Sequence, residues 1–380
     1  VKVVCLQENL QHGLAQVSRA VATRTSLPAL SNVLISTDEG RLRIAASDFN
    51  IAITTWVGAS VEEEGKVAVD ARLLADFVST LPNDNITLSS ERGKYRLDVQ
   101  SGRDHAEING IEPDDFPVIP TVSDDAQTTT IDSADLREMI TMVEFAAATD
   151  ESRPVLAGVL LRLDGDAITM AAADGFRLAV RQGKLNELFT PSLDVIVPAK
   201  AMRELGRLLA EASEPAILYV TPNQGQMIAR FGDIEFLSRL IEGSFPDYRQ
   251  IVPRDYATRV DLGRDALLTA VKRSSYFARD NNDAIRLAIK PGEDELTPGL
   301  VEVSANAAER GNSQSFVDAA IEGPEIQVAF NARYLNDVLG VIKGGQATLG
   351  LNGANQAGVI HPTGDDAYTH VIMPMVIGTT

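Results

Sequence analysis

One strand-and-helix unit occurs three times along this chain and limits what it can fold into more than any other feature. Its clearest copy is residues 194–212, DVIVPAKAMRELGRLLAEA, a short apolar strand running into an amphipathic helix. Met202, Leu205, Leu208, Leu209 and Ala212 share one helical face, with Lys200, Arg203 and Arg207 roughly opposite. Pro198 stands where the helix begins, a position that accepts proline because an N–H there would lack a partner anyway. Residues 67–81 (VAVDARLLADFVSTL) and 328–343 (VAFNARYLNDVLGVIK) repeat the pattern, with Asp70 and Asn331 as N-caps. The helix starts at 70, 198 and 331 lie 128 and 133 residues apart. A period near 130 is too long for a solenoid and long enough for a domain.

Three domains follow, over 1–122, 127–253 and 258–380. In the first, a strand at 1–6 leads to a helix at 8–22 carrying Leu10, Leu14, Val17 and Val21 at helical spacing. Strands at 33–36, 41–46 and 50–56 precede the repeated unit, and strands at 86–89, 95–100 and 106–111 follow it. The second domain replays this order behind a helix at 133–147. LAGVLLRL at 156–163 matches LSNVLIST at 30–37, and AAADGFRLAV at 171–180 matches AASDFNIAI at 45–53. Asp48 and Asp174 thus stand in register, 126 residues apart. PDDFPVIP at 113–120 reads as an extended linker, and FPDYRQIVP at 245–253 holds the same place in the next repeat. The last domain is looser, with a helix at 263–279, a strand at 284–289, the repeated helix and a final strand at 368–375. Nothing alternates in βαβ fashion. The expected class is α+β, each third burying two helices against antiparallel sheets.

The formal net charge of −19 argues by itself against a nucleic-acid partner, which needs Lys and Arg to neutralise phosphates. Its distribution changes that reading. The six helices hold 12 basic and 10 acidic residues, and the rest of the chain 22 and 43. The helical layer is near neutral: its cations either sit on solvated faces or meet an anionic partner. One cysteine, Cys5, excludes an internal disulfide framework and suits a reducing compartment. Residues 1–6 are too short for a signal core, and no apolar run reaches membrane-spanning length. A cytoplasmic protein with no membrane partner is expected.

Catalytic signatures are missing. There is no phosphate-binding loop, GxGxxG, HExxH, CxxC or GxSxG. His12, His105, His361 and His370 show no metal-ligand spacing, so neither cofactor nor metal is expected. Asp174–Gly175 reads as a turn, and the adjacent Asp114 and Asp115 as solvated linker charge. The rival reading is a hydrolase using Asp174 or Asp48.

Five segments bring in a resemblance: TRTSLPALSNVLI at 23–35, SGRDHAEI at 101–108, ADGFRLAV at 173–180, FPDYRQIVP at 245–253 and HVIMPM at 370–375. In this order, on a threefold repeat, they resemble the bacterial sliding clamps, the beta subunits of DNA polymerase III, over the whole length. The resemblance implies a non-catalytic processivity factor: a head-to-tail homodimer of three-domain crescents closing a ring around double-stranded DNA, without regard to its sequence. The partners it implies are the polymerase III catalytic subunit, the clamp loader, and other clamp-binding polymerases and repair proteins. A monomeric peptide-binding scaffold that does not encircle DNA is the alternative.

By position the resemblance carries DNA contact to Arg24, Lys200 and Arg207, and to the loop of Arg153. Arg203 joins them from the helical stripe. Two aromatic residues found beside Arg153 in one branch of the family are Pro154 and Val155 here. The implied dimer interface takes in Arg103, Ala106, Ile108, Tyr276 and Phe277, with a strand at 106–111 facing one near 300–304 of the neighbour; otherwise Tyr276 and Phe277 are core of their own domain. The implied partner groove is apolar and comprises Leu156, Gly175, Phe176, Arg177, Leu178, Pro246, Ile251, Val371, Met373, Pro374 and Met375, or else the two methionines are edge-strand core. Ala173, Phe176 and Gln250 replace a threonine, a histidine and an arginine of some members, and residues 376–380 run past the usual end.

Overall fold

The computed structural model describes residues 1–91, 93–122, 126–150, 152–294, 297–307 and 311–376. Among them are six α-helices: α1 (Gln7–Val17), α2 (Ala71–Thr80), α3 (Ser133–Val143), α4 (Ala199–Leu208), α5 (Arg264–Ala278) and α6 (Ala332–Val341). Each is shorter than the apolar period predicts. The final turn of α1, α3, α4 and α5 tightens into a 3-10 turn at Ser18–Ala20, Glu144–Ala146, Leu209–Glu211 and Arg279–Asn281, as helix ends do when their last carbonyls lack α-helical partners.

Both caps predicted from sequence form. The Asp70 carboxylate accepts from the Leu73 N–H at 2.7 Å, and the Asn331 side chain from the Arg333 and Tyr334 N–H groups. Pro198 is instead the last residue of the preceding strand, Arg177–Pro198, one position before α4. Behind the caps the apolar stripes are buried: Ala71, Leu74 and Val78 on α2, and Ala332, Leu335, Val338 and Leu339 on α6. On α1, Gly13 lies so close to the sheet that a Cβ would meet Val57 Cγ2 at 2.9 Å, so only glycine allows this approach.

The chain packs as two compact units: residues 1–137, 185–189 and 200–241, and residues 138–184, 190–199 and 242–380. Each third was expected to bury two helices against antiparallel sheets. Those sheets hold thirteen and ten strands, and the residues of the middle third are divided between the units. Antiparallel ladders explain this. In the first unit Ile51–Val57 pairs with Ile234–Arg239, and in the second, residues 177–181 pair with Tyr368–Ile372. Strand Ser60–Glu63 was not foreseen, and the final strand stops at Ile372 rather than 375. The segment 113–120 is anchored rather than free: Phe116 is buried, and Ile119 packs on the cluster of Ala52, Tyr219, Ile228 and Leu237.

Candidate docking groove and basic helix face

In the second unit a four-residue turn carries the centre of the predicted groove. Asp174 Oδ1 accepts from the Phe176 N–H at 2.8 Å and the Arg177 N–H at 3.0 Å. Its own N–H donates to the Arg177 carbonyl, and Gly175 takes φ +95° between them. The turn ends the strand Gly158–Ala173 and starts Arg177–Pro198. Asp174 is thereby spent on backbone donors, as Asp48 is on Asn50 and Ile51. The turn reading prevails over the hydrolase.

Arg177 holds the turn from behind, its side chain only 10% exposed. Nε donates to Asp174 at 3.1 Å, Nη1 to Asp337 at 2.6 Å and Nη2 to the Phe145 carbonyl at 2.8 Å. The guanidinium lies 4.3 Å from the Tyr334 ring centre and 5.4 Å from that of Phe145, within cation–π range. Burial, with Asp174 next, pushes the Tyr334 phenol above its ordinary range. His370 stacks on Phe145 at 5.6 Å. Burial first, and Arg177 second, push its imidazole down to about 3, so it is neutral. Phe145 and Tyr334 were not singled out from sequence, and His370 was noted only in HVIMPM and as a histidine without metal-ligand spacing. The distance of 145 and 334 from the turn along the chain left no local signal.

The groove residues divide into floor and rim. Leu178 and Val371 are fully buried, clustered with Leu160, Ala171, Val180 and Val359, against which Phe245, Tyr248 and Val252 pack. On the rim Phe176, Ile251 and Met373 are 60%, 56% and 47% exposed, and the Met373 N–H donates to the Phe176 carbonyl at 2.8 Å. Met373 is therefore surface, not edge-strand core. Met375, half-buried, donates its N–H to the Ala329 carbonyl. Gly175 and Pro246 are exposed, and Pro374 is half-buried. Leu156 is half-buried on the 3-10 turn Pro154–Ala157, its carbonyl accepting from Ala148. Residue 376 is exposed, and 377–380 lie outside the described residues.

The cations stand as follows. Lys200, Arg203 and Arg207 are all exposed on α4, and Glu204 lies among them, binding Arg207 at 2.6 Å and Arg19 at 3.3 Å. Arg19, unremarked in the sequence, thus joins this face. Arg24 is exposed in the bend after α1 and forms no ion pair among the described residues. In the second unit Arg153 is exposed and donates to the Asp174 carbonyl, and α5 exposes Lys272 and Arg273.

Two expectations about the interface need correction. Ile108 is 2% exposed: its side chain faces its own core, opposite Leu97, so only the strand's backbone edge is offered there. Strand Asp104–Ile111 pairs fully with Arg96–Ser101 but meets Lys66–Asp70 only at residues 110 and 111, leaving one edge open over 104–109. The second correction concerns 300–304, which lie in Gly299–Ala307, a strand paired on both sides. An open edge in that unit is 311–318, because Thr258–Gly263 covers only 319–322. Phe316 is 55% exposed on it, and Tyr276 is 64% exposed on α5. Arg103 is exposed, Ala106 and Phe277 half-buried. His105 comes near Asp98 and Glu107, which the sequence spacing did not show, but Arg96 already pairs with both carboxylates, at 3.7 and 2.9 Å.

Comparison with known proteins matches the whole chain. Family models described as the N-terminal, central and C-terminal domains of the DNA polymerase III beta subunit match residues 1–120, 130–247 and 249–376. A beta sliding clamp of Synechococcus elongatus is 34% identical over 99% of both chains, and one of Staphylococcus aureus is 30% identical over 94% of both. Among solved structures, a DNA polymerase sliding clamp of Bacillus subtilis aligns with TM-score 0.93 at 26% identity, covering 99% of each chain. A DNA polymerase III beta subunit of Pseudomonas aeruginosa, bound to griselimycin, aligns with TM-score 0.91 at 30% identity over 99% of each.

Proposed function

This chain belongs to the DNA polymerase III beta subunit family, the beta sliding clamps, and from that premise we propose that two copies close head to tail into a ring around duplex DNA. It is a non-catalytic processivity factor that tethers the replicative polymerase to its template. The observation that carries this is the match of all three beta-subunit domains, in order, at residues 1–120, 130–247 and 249–376. The domain limits we adopt are 1–122, 127–253 and 258–380. In a ring the cations of Arg24, Lys200, Arg203 and Arg207, with Arg153 from its loop, attract phosphates without reading bases. The acidic remainder of a −19 chain repels DNA from the other surfaces.

A heterologous contact closes a ring when its rotation divides the circle. The two open edges fit such a contact: 104–109 of one protomer pairing with 311–318 of its partner, with Tyr276 and Phe316 as apolar flanks. The groove of Phe176, Ile251 and Met373 over Leu178 and Val371 takes extended segments of the polymerase catalytic subunit, the clamp loader and repair proteins, and Met373 suits varied ligands because its thioether repacks. The site of action is the cytoplasm.

The test is retention on DNA. With clamp loader and ATP, the protein is loaded onto nicked circular DNA and passed over a sizing column, before and after the circle is cut. Co-elution with the circle and release on linearisation is the expected result. Equal retention on both forms, or a protein that stays monomeric at micromolar concentration, overturns the ring.

A further inference from the structure

The groove of the second unit has a backbone copy in the first. Asp48 Oδ1 accepts from the Asn50 and Ile51 N–H groups, each at 2.9 Å, and the Asp48 N–H donates to the Ile51 carbonyl, as Asp174 does around its own turn. The following strand pairs Ala52 with Leu237 where the second unit pairs Leu178 with Val371. The Arg239 N–H donates to the Asn50 carbonyl at 2.8 Å, the same bond that joins Met373 to Phe176. Ile119 packs on this floor as Val252 packs on the other. Turn, floor and linker all recur.

The side chains that line the copy have been exchanged. Phe49 stands at the place of Gly175 and Asn50 at that of Phe176, so the exposed aromatic ring has moved by one residue. Phe49 keeps φ +72°, a region that penalises any side chain, and is still 49% exposed. Its packing does not explain why glycine is not used there. Leu27, half exposed before its 3-10 turn, takes the place of Arg153, whose guanidinium lies 3.0 Å from where a Gly175 Cβ would be. Val118, 93% exposed, takes the place of Ile251. Arg239 takes the place of Met373; it is exposed and forms no ion pair among the described residues. Apolar anchors therefore flank one unneutralised cation, with the nearby Asp48 carboxylate engaged by its two backbone donors.

We propose that this face of the first unit, formed by Leu27, Phe49, Val118 and Arg239, is a second docking groove, for an extended partner segment carrying a carboxylate between apolar side chains. The proposal uses the reading of the second-unit groove as its template, and the test separates the two. Full-length protein carrying Met373→Asp, which disables the second-unit groove, is titrated into fluorescein-labelled hexapeptides at physiological salt. One peptide alternates leucine and aspartate, the other leucine and lysine. The chain's bulk charge favours the lysine peptide, so preference for the aspartate peptide reports a local cation. We expect that preference, and at least about fivefold weaker binding on adding Phe49→Gly or Arg239→Glu. Phe49→Gly relieves backbone strain and installs the residue the other copy uses, so misfolding does not obscure the result. No binding in the Met373→Asp background, preference for lysine, or indifference to both added changes overturns the second groove. Failure of Met373→Asp to weaken polymerase capture instead counts against the template groove alone.

Discussion

Replacing Arg177 by methionine keeps its bulk and removes its charge, and the contacts on the page set the cost. The Phe145 carbonyl loses a donor in a partly buried place, worth about 1 kcal/mol. Asp174 is 14% exposed and loses its partner while keeping two backbone N–H donors. That partial loss costs about 1–2 kcal/mol, below the full cost of stripping a buried pair. Asp337, 43% exposed, rehydrates and contributes roughly 0–1 kcal/mol. The stacking on Tyr334 and Phe145 adds about 1 kcal/mol together. The sum is about 3–5 kcal/mol. A cooperative unit of roughly 200 residues loses about 2–4 °C in Tm per kcal/mol, so the second unit's calorimetric transition is expected to fall by about 6–20 °C. Arg177→Met in an Asp337→Asn background isolates the exposed pair, whose coupling is expected to stay under about 1 kcal/mol. A total loss below about 1 kcal/mol refutes the reasoning: the turn would then hold Asp174 without the guanidinium.

Buried His370, pushed down to about 3, binds a proton in the unfolded chain before it does in the folded one. Its contribution is full above about pH 6.5 and is lost as pH falls, roughly 2 kcal/mol by pH 5; His370→Phe flattens that limb of a pH–stability curve measured in urea. Asp70→Ala and Asn331→Ala each cost about 1 kcal/mol through lost caps, while Pro198→Ala, ahead of α4, changes Tm little. Gly110→Ala places a Cβ 2.0 Å from the Ala68 carbonyl oxygen and costs about 1–3 kcal/mol, read as earlier denaturant unfolding. On DNA, Arg24→Ala lowers the slope of log K against log salt by about 0.9. Arg207→Ala, already held by Glu204, lowers it by less.

The helices and the turns were legible because their signals are local. The cap at Asp70, the stripe of Leu74 and Val78, and the Asp174–Gly175 pair are read within one or two turns of chain. The support of Arg177 was not, since Phe145 and Tyr334 come from segments 32 and 157 residues away. The sheet edges were not legible either. Alternation shows that a strand has an apolar face, but which strand lies beside it is a long-range fact. Gly299–Ala307 alternates well and is enclosed on both sides, whereas 311–318, polar apart from Phe316 and buried Val317, has an open edge. Ile108 was misjudged for a related reason: interface contact was carried to its side chain, while its register opposite Leu97 turns that side chain into the core.

The threefold repeat has the same physical character. Backbone hydrogen bonds such as Arg239 to Asn50 and Met373 to Phe176 do not depend on the side chains that frame them. A repeated fold can therefore keep both bonds while its rims diverge from arginine to methionine. Sequence similarity survives best where the backbone demands a residue type: the turn aspartates 48 and 174, and the prolines that close the linkers at 120 and 253. It fades on the rims, where binding is free to differ. Where the repeat is conserved in backbone and exchanged in side chains, the scaffold is shared and the ligand is not.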